Sequence, residues 1–337
     1  MSRAVITGIT GQDGAYLSKY LLEKNYDVIG IGRFSNENKL WRLNKTGILK
    51  DIQLVETNLE DAADVGNVIK NYKPDEVYNL AAQSSVSSSW DNPFQCIDFN
   101  TKSVLCLVNA LKYFGENTKM LQASSSEIFG VADADVQSES TSYNAVSPYG
   151  LSKLFGQKIV ETYRYSYSLK LYSAILFAHE SPLRDVKFVS RKITTYFADL
   201  YKNGYTQALE LGNVYTKRDW GYAPDYVKAM HDIMQGEPDD FVVASGCSHT
   251  VQEFVNNVAK YCDINLIWEG EGISTKAIDS VTGNVLVQIN PKFFRPIEPR
   301  QLKGDITKIN TILGWHPKYT FDEMCKMIIE QEIEDLL

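Results

Sequence analysis

Ala4-Val5-Ile6-Thr7-Gly8-Ile9-Thr10-Gly11-Gln12-Asp13-Gly14 decides how this 337-residue chain folds. The first four residues are an apolar, β-prone run. Glycines follow at the spacing G-x-x-G-x-x-G, and Tyr16, Leu17, Tyr20 and Leu21 then recur at helical spacing. Strand, glycine turn, helix is the setting a dinucleotide site needs. Gly8 permits the tight turn, Gly11 lets backbone N–H groups approach a pyrophosphate, and Gly14 allows the helix to pack closely. The helix N-terminus favours the negative charge.

Outward from that stretch, strands and helices alternate. Residues 27–31 read as a second strand ending at Arg33, 53–57 as a third running into Asn58-Leu59, and 76–80 as a fourth running into Ala81-Ala82-Gln83-Ser84. Residues 120–123 deliver Ser124-Ser125-Ser126-Glu127, and 171–177 form a sixth strand. Such alternation predicts an α/β fold with a doubly wound parallel sheet, ligands gathering at the carboxyl ends of its strands. A second, smaller α/β substrate lobe is expected from 175–213 and 237–337, with 1–174 and 214–236 forming the dinucleotide domain. After the sixth strand, 191–201 and 224–234 read as helices, 209–211 as a short strand, and Thr250 as the cap of a helix over 251–261. Residues 291–299 read as irregular, basic and aromatic.

Tyr149-Gly150-Leu151-Ser152-Lys153 places a Tyr and a Lys on one helical face. A phenol titrates near ~10 and is a poor base until something stabilises the phenolate, which a nearby ammonium does. Glu127, beside the Ser125 hydroxyl, adds a carboxylate able to take a proton from carbon next to a ketone, a dehydratase requirement. A Glu in a first helical turn can also serve the helix dipole alone. An acidic residue at the end of the second strand would select NAD; Arg33 suits the 2′-phosphate of NADP.

The formal net charge of −8 argues against a nucleic-acid or anionic-membrane surface. No apolar run approaches the ~20 residues of a membrane span, and no signal-peptide pattern precedes the first strand. Cys96, Cys106, Cys247, Cys262 and Cys325 are scattered, with no C-x-x-C, and read as reduced core thiols of a cytoplasmic protein without a metal site.

The glycine turn with Tyr149 and Lys153 resembles the extended short-chain dehydrogenase/reductases that act on nucleotide sugars, a Rossmann fold. Four later stretches sharpen the resemblance: Phe177 through Arg184, Arg191-Lys192-Ile193-Thr194, Leu211-Gly212-Asn213 with Arg218-Asp219-Trp220-Gly221, and Phe294-Arg295-Pro296-Ile297-Glu298. Gln122 through Gly130 is similar to a sugar-nucleotide dehydratase, and with Gly8 through Gly14 the four stretches resemble the GDP-mannose 4,6-dehydratase family over nearly the whole chain, Leu313-Gly314-Trp315 included. The resemblance implies an NADP site at Gly8, Thr10, Gly11, Gln12, Asp13, Gly14, Arg33, Asn58, Leu59, Leu80, Ala81, Ala82, Ser84, Tyr149, Lys153, His179 and Arg184. It implies a GDP-sugar site at Ser84, Ser125, Glu127, Arg191, Lys192, Asn213, Arg218, Arg295 and Glu298; Arg forks and a Lys charge suit a diphosphate.

The implied activity is a hydro-lyase reaction on a GDP-sugar, with Tyr149 as C4 base, Lys153 depressing its pKa, Ser125 bonded to O4, and Glu127 as general base at C5. GDP-mannose is the expected substrate and a GDP-manno-heptose its competitor. A GDP-sugar epimerase or ketoreductase, and a non-catalytic NADP-sensing protein, are the other readings. Ser125 stands where the family usually has Thr, Ala178 where it has Asn, Ser85 where it has His, and Gln95 where it has Tyr. The loop after the second strand is shorter than the family's, which leaves homodimer and homotetramer both open.

Overall fold

The computed structural model describes residues 1–34, 36–294 and 301–336. The chain opens with β1 (Arg3–Thr7), α1 (Gln12–Glu23), β2 (Asp27–Gly32), α2 (Trp41–Lys45), β3 (Gln53–Glu56), α3 (Ala62–Tyr72) and β4 (Glu76–Asn79). Two helices, α4 (Val86–Asp91) and α5 (Pro93–Phe114), precede β5 (Lys119–Ala123), and α6 (Pro148–Tyr167) precedes β6 (Leu171–Leu176). The second half runs β7 (Ala178–Glu180), α7 (Val189–Asn203), β8 (Leu209–Leu211), β9 (Lys217–Tyr222), α8 (Ala223–Ile233), β10 (Asp240–Val243), β11 (Ser248–Thr250) and α9 (Val251–Lys260). It ends with β12 (Leu266–Glu269), β13 (Lys276–Asp279), β14 (Val285–Ile289), α10 (Thr307–Leu313) and α11 (Phe321–Leu336).

Seven strands form the central sheet in the order β10-β6-β5-β4-β1-β2-β3, every neighbouring pair parallel. The order reverses beside β1, the point at which a doubly wound sheet opens a crevice at its carboxyl edge. One face is covered by α1, α2, α8 and α10, through Leu17, Leu21, Leu43, Met230 and Ile309. The other is covered by α3, α5 and α6, through Val65, Ile69, Leu107, Leu111 and Val160. A separate core joins α7, α9, α11 and β14 around Phe197, Phe254, Ile328 and Val287.

The lobe boundary differs from the sequence-based expectation. Residues 240–243 were assigned to the smaller lobe, yet β10 is an edge strand of the large sheet, with Phe241, Val242 and Val243 buried against it. Ile309 and Trp315 likewise join the core beneath α1 and α8. The stretch 218–222 forms most of β9, which pairs with β7 and β11 in a three-stranded sheet; β12, β13, β14 and β8 make a four-stranded one.

Local chemistry explains the ends that matter. The Ser147 side chain accepts from Gly150 N–H at 3.0 Å and Pro148 occupies the first turn of α6, which fixes Tyr149 and Lys153 one turn apart. Thr250 and Glu253 form a reciprocal capping box on α9. All five cysteines are free; Cys247 is exposed rather than in a core, because its loop follows β10 into solvent. Among the described residues no helix is long and apolar enough to cross a membrane.

Candidate active site

The glycine turn closes with Gly11 N–H on Gly8 O at 2.9 Å, and α1 starts without a side-chain cap. Gly8 has φ +68°, and a Cβ there would stand 2.8 Å from Ala81 N, so only glycine lets the turn lie against the end of β4. Gly8, Thr10, Arg33, Leu59 and Ala81 line one cleft, as the sequence reading expects. The same cleft is lined by Phe34, Lys39, Thr57 and Phe99, which that reading missed. Lys39 brings a second cation to the side occupied by Arg33; only its place after a turn whose course the sequence does not reveal puts it there. A glycine cradle, an open helix N-terminus and two cations are the features a phosphorylated dinucleotide requires.

Gln12 and Asp13 face the chain crossing after β6 instead. Gln12 donates to His179 O at 3.2 Å and accepts from Ser181 at 2.7 Å. Asp13 Oδ2 lies 3.0 Å from His179 Nε2, while His179 Nδ1 lies 2.7 Å from Phe177 O. Burial alone would strip the proton from His179, but the Asp13 carboxylate outweighs it and the pKa is raised. Burial likewise opposes ionisation of Asp13, yet the His179 charge and hydrogen bond hold its carboxyl down at about 2. With both ring nitrogens taken, His179 anchors the first turn of α1. Arg184 stacks on Phe188 at 3.7 Å and brings Nε within 3.1 Å of Glu180, out of line for a hydrogen bond. Asn58 closes a local turn by accepting from Glu60 N–H, and Ser85 caps α4 by accepting from Ser88 N–H. Leu80, Ala82 and Ser84 belong to the loop between β4 and α4, Ser84 exposed. Gln95 is exposed in the first turn of α5.

At the end of β5 the four residues singled out for chemistry come together. Ser125 Oγ accepts from Glu127 N–H at 3.2 Å, and its hydroxyl stands beside the Tyr149 phenol and favours the phenolate. Lys153 Nζ donates to Ala123 O at 2.8 Å and stands 5.8 Å from the Tyr149 ring centre. Gly150 makes the approach possible: a Cβ there would stand 2.7 Å from Glu127 O. The expected depression of the Tyr149 pKa by Lys153 is not found. Burial raises it, the Glu127 charge adds to the rise, and the Ser125 hydroxyl and Arg184 oppose it. Lys153 is itself pushed down to about 8 by burial, against the pull of Asp13.

A second cleft runs along α7 between β8 and α11, lined by Arg191, Lys192, Tyr196, Leu209 and Glu332. Arg191 Nε lies 2.6 Å from Glu332 Oε1, and Lys192 Nζ lies 5.1 Å from the Phe293 ring centre. Asn213 Oδ1 accepts from Tyr215 N–H, and Arg218 on β9 donates to Lys217 O at 2.8 Å. Ala178 packs partly against the smaller core. Arg295 and Glu298 lie outside the described residues.

The family model described as GDP-mannose 4,6 dehydratase matches residues 5–328. A Drosophila melanogaster GDP-mannose 4,6 dehydratase is 40% identical over 343 residues, covering 98% of this chain and 86% of the relative. The Homo sapiens protein of that name is 39% identical, covering 98% and 91%. Among solved structures, RMD from Pseudomonas aeruginosa complexed with NADPH superimposes with a TM-score of 0.79 at 19% identity, covering 99% and 100%. DesIV, a dTDP-glucose 4,6-dehydratase from Streptomyces venezuelae with NAD and TYD bound, gives 0.81 at 18%, covering 99% and 97%. With the glycine turn, the Ser125, Glu127, Tyr149 and Lys153 row and matching sequence over nearly its full length, the chain belongs to the GDP-mannose 4,6-dehydratase family.

Proposed function

We propose that the chain is an NADP-dependent GDP-sugar 4,6-dehydratase that converts GDP-mannose to GDP-4-keto-6-deoxymannose. The observation that carries this reading is the meeting of Tyr149, Ser125 and Lys153 with a carboxylate, Glu127, for which a simple reductase has no use. Gly8, Thr10, Gly11 and the first turn of α1 would hold the pyrophosphate of NADP, Arg33 and Lys39 its 2′-phosphate, and Lys153 its nicotinamide ribose. When bound, that cofactor supplies hydride transfer, from sugar C4 and back to C6. Tyr149 Oη takes the O4 proton while Ser125 holds O4. Glu127 removes the C5 proton, acidified by the C4 ketone, and protonates the C6 oxygen that leaves as water; the proton Tyr149 took from O4 returns to C5 as C6 is reduced. Arg191 and Lys192 supply charge for the diphosphate, and the names of the full-length relatives support guanine as its base.

Turnover of GDP-mannose with NADP bound, followed by the alkali-developed 4-keto chromophore, tests the reading. Product should form without net cofactor consumption, and a GDP-manno-heptose should give the lower kcat/KM. A steady-state NADPH requirement would make the protein a ketoreductase, absence of any sugar conversion would make it a binding protein, and preference for NAD would remove the role given to Arg33. We also propose a cytoplasmic enzyme that assembles as a homodimer or homotetramer; the exposed apolar side chains of Phe94, Ile97, Leu151 and Phe155 on the adjacent helices α5 and α6 support self-association.

A further inference from the structure

Strands at the centre of a parallel sheet are ordinarily apolar on both faces. Here a row of polar side chains crosses four of them. Thr7 on β1 pairs in register with Asn79 on β4, Asn79 with Gln122 on β5, and Gln122 with Ser173 on β6. All four are at most 2% exposed. A buried amide without partners is costly, and an apolar pair of the same shape would hold the sheet as well. The row therefore calls for an explanation beyond stability.

Its hydrogen bonds run in one direction. Ala81 N–H donates to Thr7 Oγ1 at 2.9 Å, and Thr7 donates to Asn79 Oδ1 at 2.7 Å. Asn79 Nδ2 donates to Gln122 Oε1 at 2.7 Å, and Gln122 Nε2 donates to Ala123 O at 3.1 Å. The two ends fix the orientation of both amides, because a backbone N–H only donates and a backbone carbonyl only accepts. The last acceptor, Ala123 O, is the one on which Lys153 Nζ rests at 2.8 Å. Ser173 turns away from this line and donates to Gln157 Oε1 on α6.

We propose that Gln122 is a positioning residue for the reaction: its side-chain amide fixes the Ala123 carbonyl that holds the Lys153 ammonium, and ties it through Asn79 and Thr7 to the Ala81 backbone at the end of β4. Lys153 also faces the Asp13 carboxylate of α1 and the Cys96 thiol of α5, both of which favour its charged form. Gln122 is the neutral group that competes with the ammonium for a shared acceptor. The catalytic part of this inference rests on the dehydratase reading above; the structural part does not.

The test uses Gln122→Met, close in shape and unable to bond, beside Ser173→Ala, which removes a bond of the same row away from Lys153. The Lys153 titration is followed by its 13Cε shift, assigned by the loss of that signal in Lys153→Met, on protein without substrate. Gln122→Met should raise the midpoint by about one pH unit, because the ammonium gains sole use of the carbonyl. It should lower kcat about tenfold, with KM for the sugar nucleotide changed less than about twofold. Ser173→Ala should leave the midpoint where it is. If Gln122→Met does not fold, Asn79→Leu/Gln122→Leu, which leaves neither amide unsatisfied, carries the same expectations. An unmoved Lys153 midpoint in a folded variant lacking Gln122, or an equal shift in Ser173→Ala, overturns the proposal. The titration needs no turnover, so it stands or falls apart from the assignment of the reaction.

Discussion

Tyr149, the proposed base, sits where burial and the Glu127 charge both hold the phenol proton on, while the Ser125 hydroxyl works the other way. The two neighbours therefore have opposite effects on the pH profile of the free enzyme. In the proposed mechanism activity needs the ionised phenol, so its low-pH limb should rise through the Tyr149 pKa. Ser125→Ala should move that limb to higher pH, and Glu127→Gln should move it lower. Glu127→Gln should also stall the elimination, leaving NADPH absorbing at 340 nm in single turnover with little keto-deoxy product. Measuring kcat/KM against pH for both variants checks the signs; limbs that shift in the same direction would remove Glu127 from the neighbourhood of the phenol. That these residues are candidates for one site was legible in the sequence. The balance among them was not, because burial, the largest effect on both Tyr149 and Lys153, depends on side chains from distant segments.

Among the elements, α6 and the short turn Ser126–Ile128 must nearly touch, and Gly150 is where they do so. Gly150→Ala should help the helix by propensity, about 1 kcal/mol in isolation. It also forces a methyl to 2.7 Å from the Glu127 carbonyl and so displaces the turn that carries Ser125 and Glu127. The expected outcome is a fall in kcat of at least about tenfold, the effect of misplacing a reacting group by a fraction of an ångström. Far-UV circular dichroism should remain that of the parent. A variant with parental kcat would mean that the turn and the helix are independently placed. Sequence periodicity located β2, β5, α7 and α9 to within a residue or two because each carries a full period of apolar side chains. It missed β10 as a strand of the large sheet, where Phe241-Val242-Val243 is too short to announce which sheet it joins. It also missed β7 and β11, three residues each, whose formation depends on the presence of β9.

At the scale of the molecule, the packed helices α5 and α6 leave Phe94, Ile97, Leu151 and Phe155 exposed, led by Phe94 at 83%. Isolated exposed apolar residues need no explanation, but several on two packed helices do. Phe94→Glu/Leu151→Glu should dissociate the oligomer in sedimentation velocity at micromolar protein, with the far-UV spectrum retained. A parent that already sediments as a monomer would discard the assembly. The charge and the cysteine pattern were legible as whole-chain properties. The face proposed for assembly was not, since it becomes a surface only when α5 and α6 lie side by side.

The bond between Asp13 and His179 joins residues 166 positions apart. On a ribosome adding ~5–20 residues each second, the Asp13 carboxylate emerges roughly ten to thirty seconds before its histidine. Over that interval the first turn of α1 lacks the ring that anchors it. β6 in turn waits roughly three to thirteen seconds for its outer neighbour, because β10 follows an excursion through β7, α7, β8, β9 and α8. Until then the newborn sheet ends in an open edge of unpaired backbone groups, the feature that invites pairing with another chain. The chain thus makes its cofactor turn first and completes it late, and the passage between those two moments is when synthesis is most exposed to a pause, a protease or a neighbouring nascent chain.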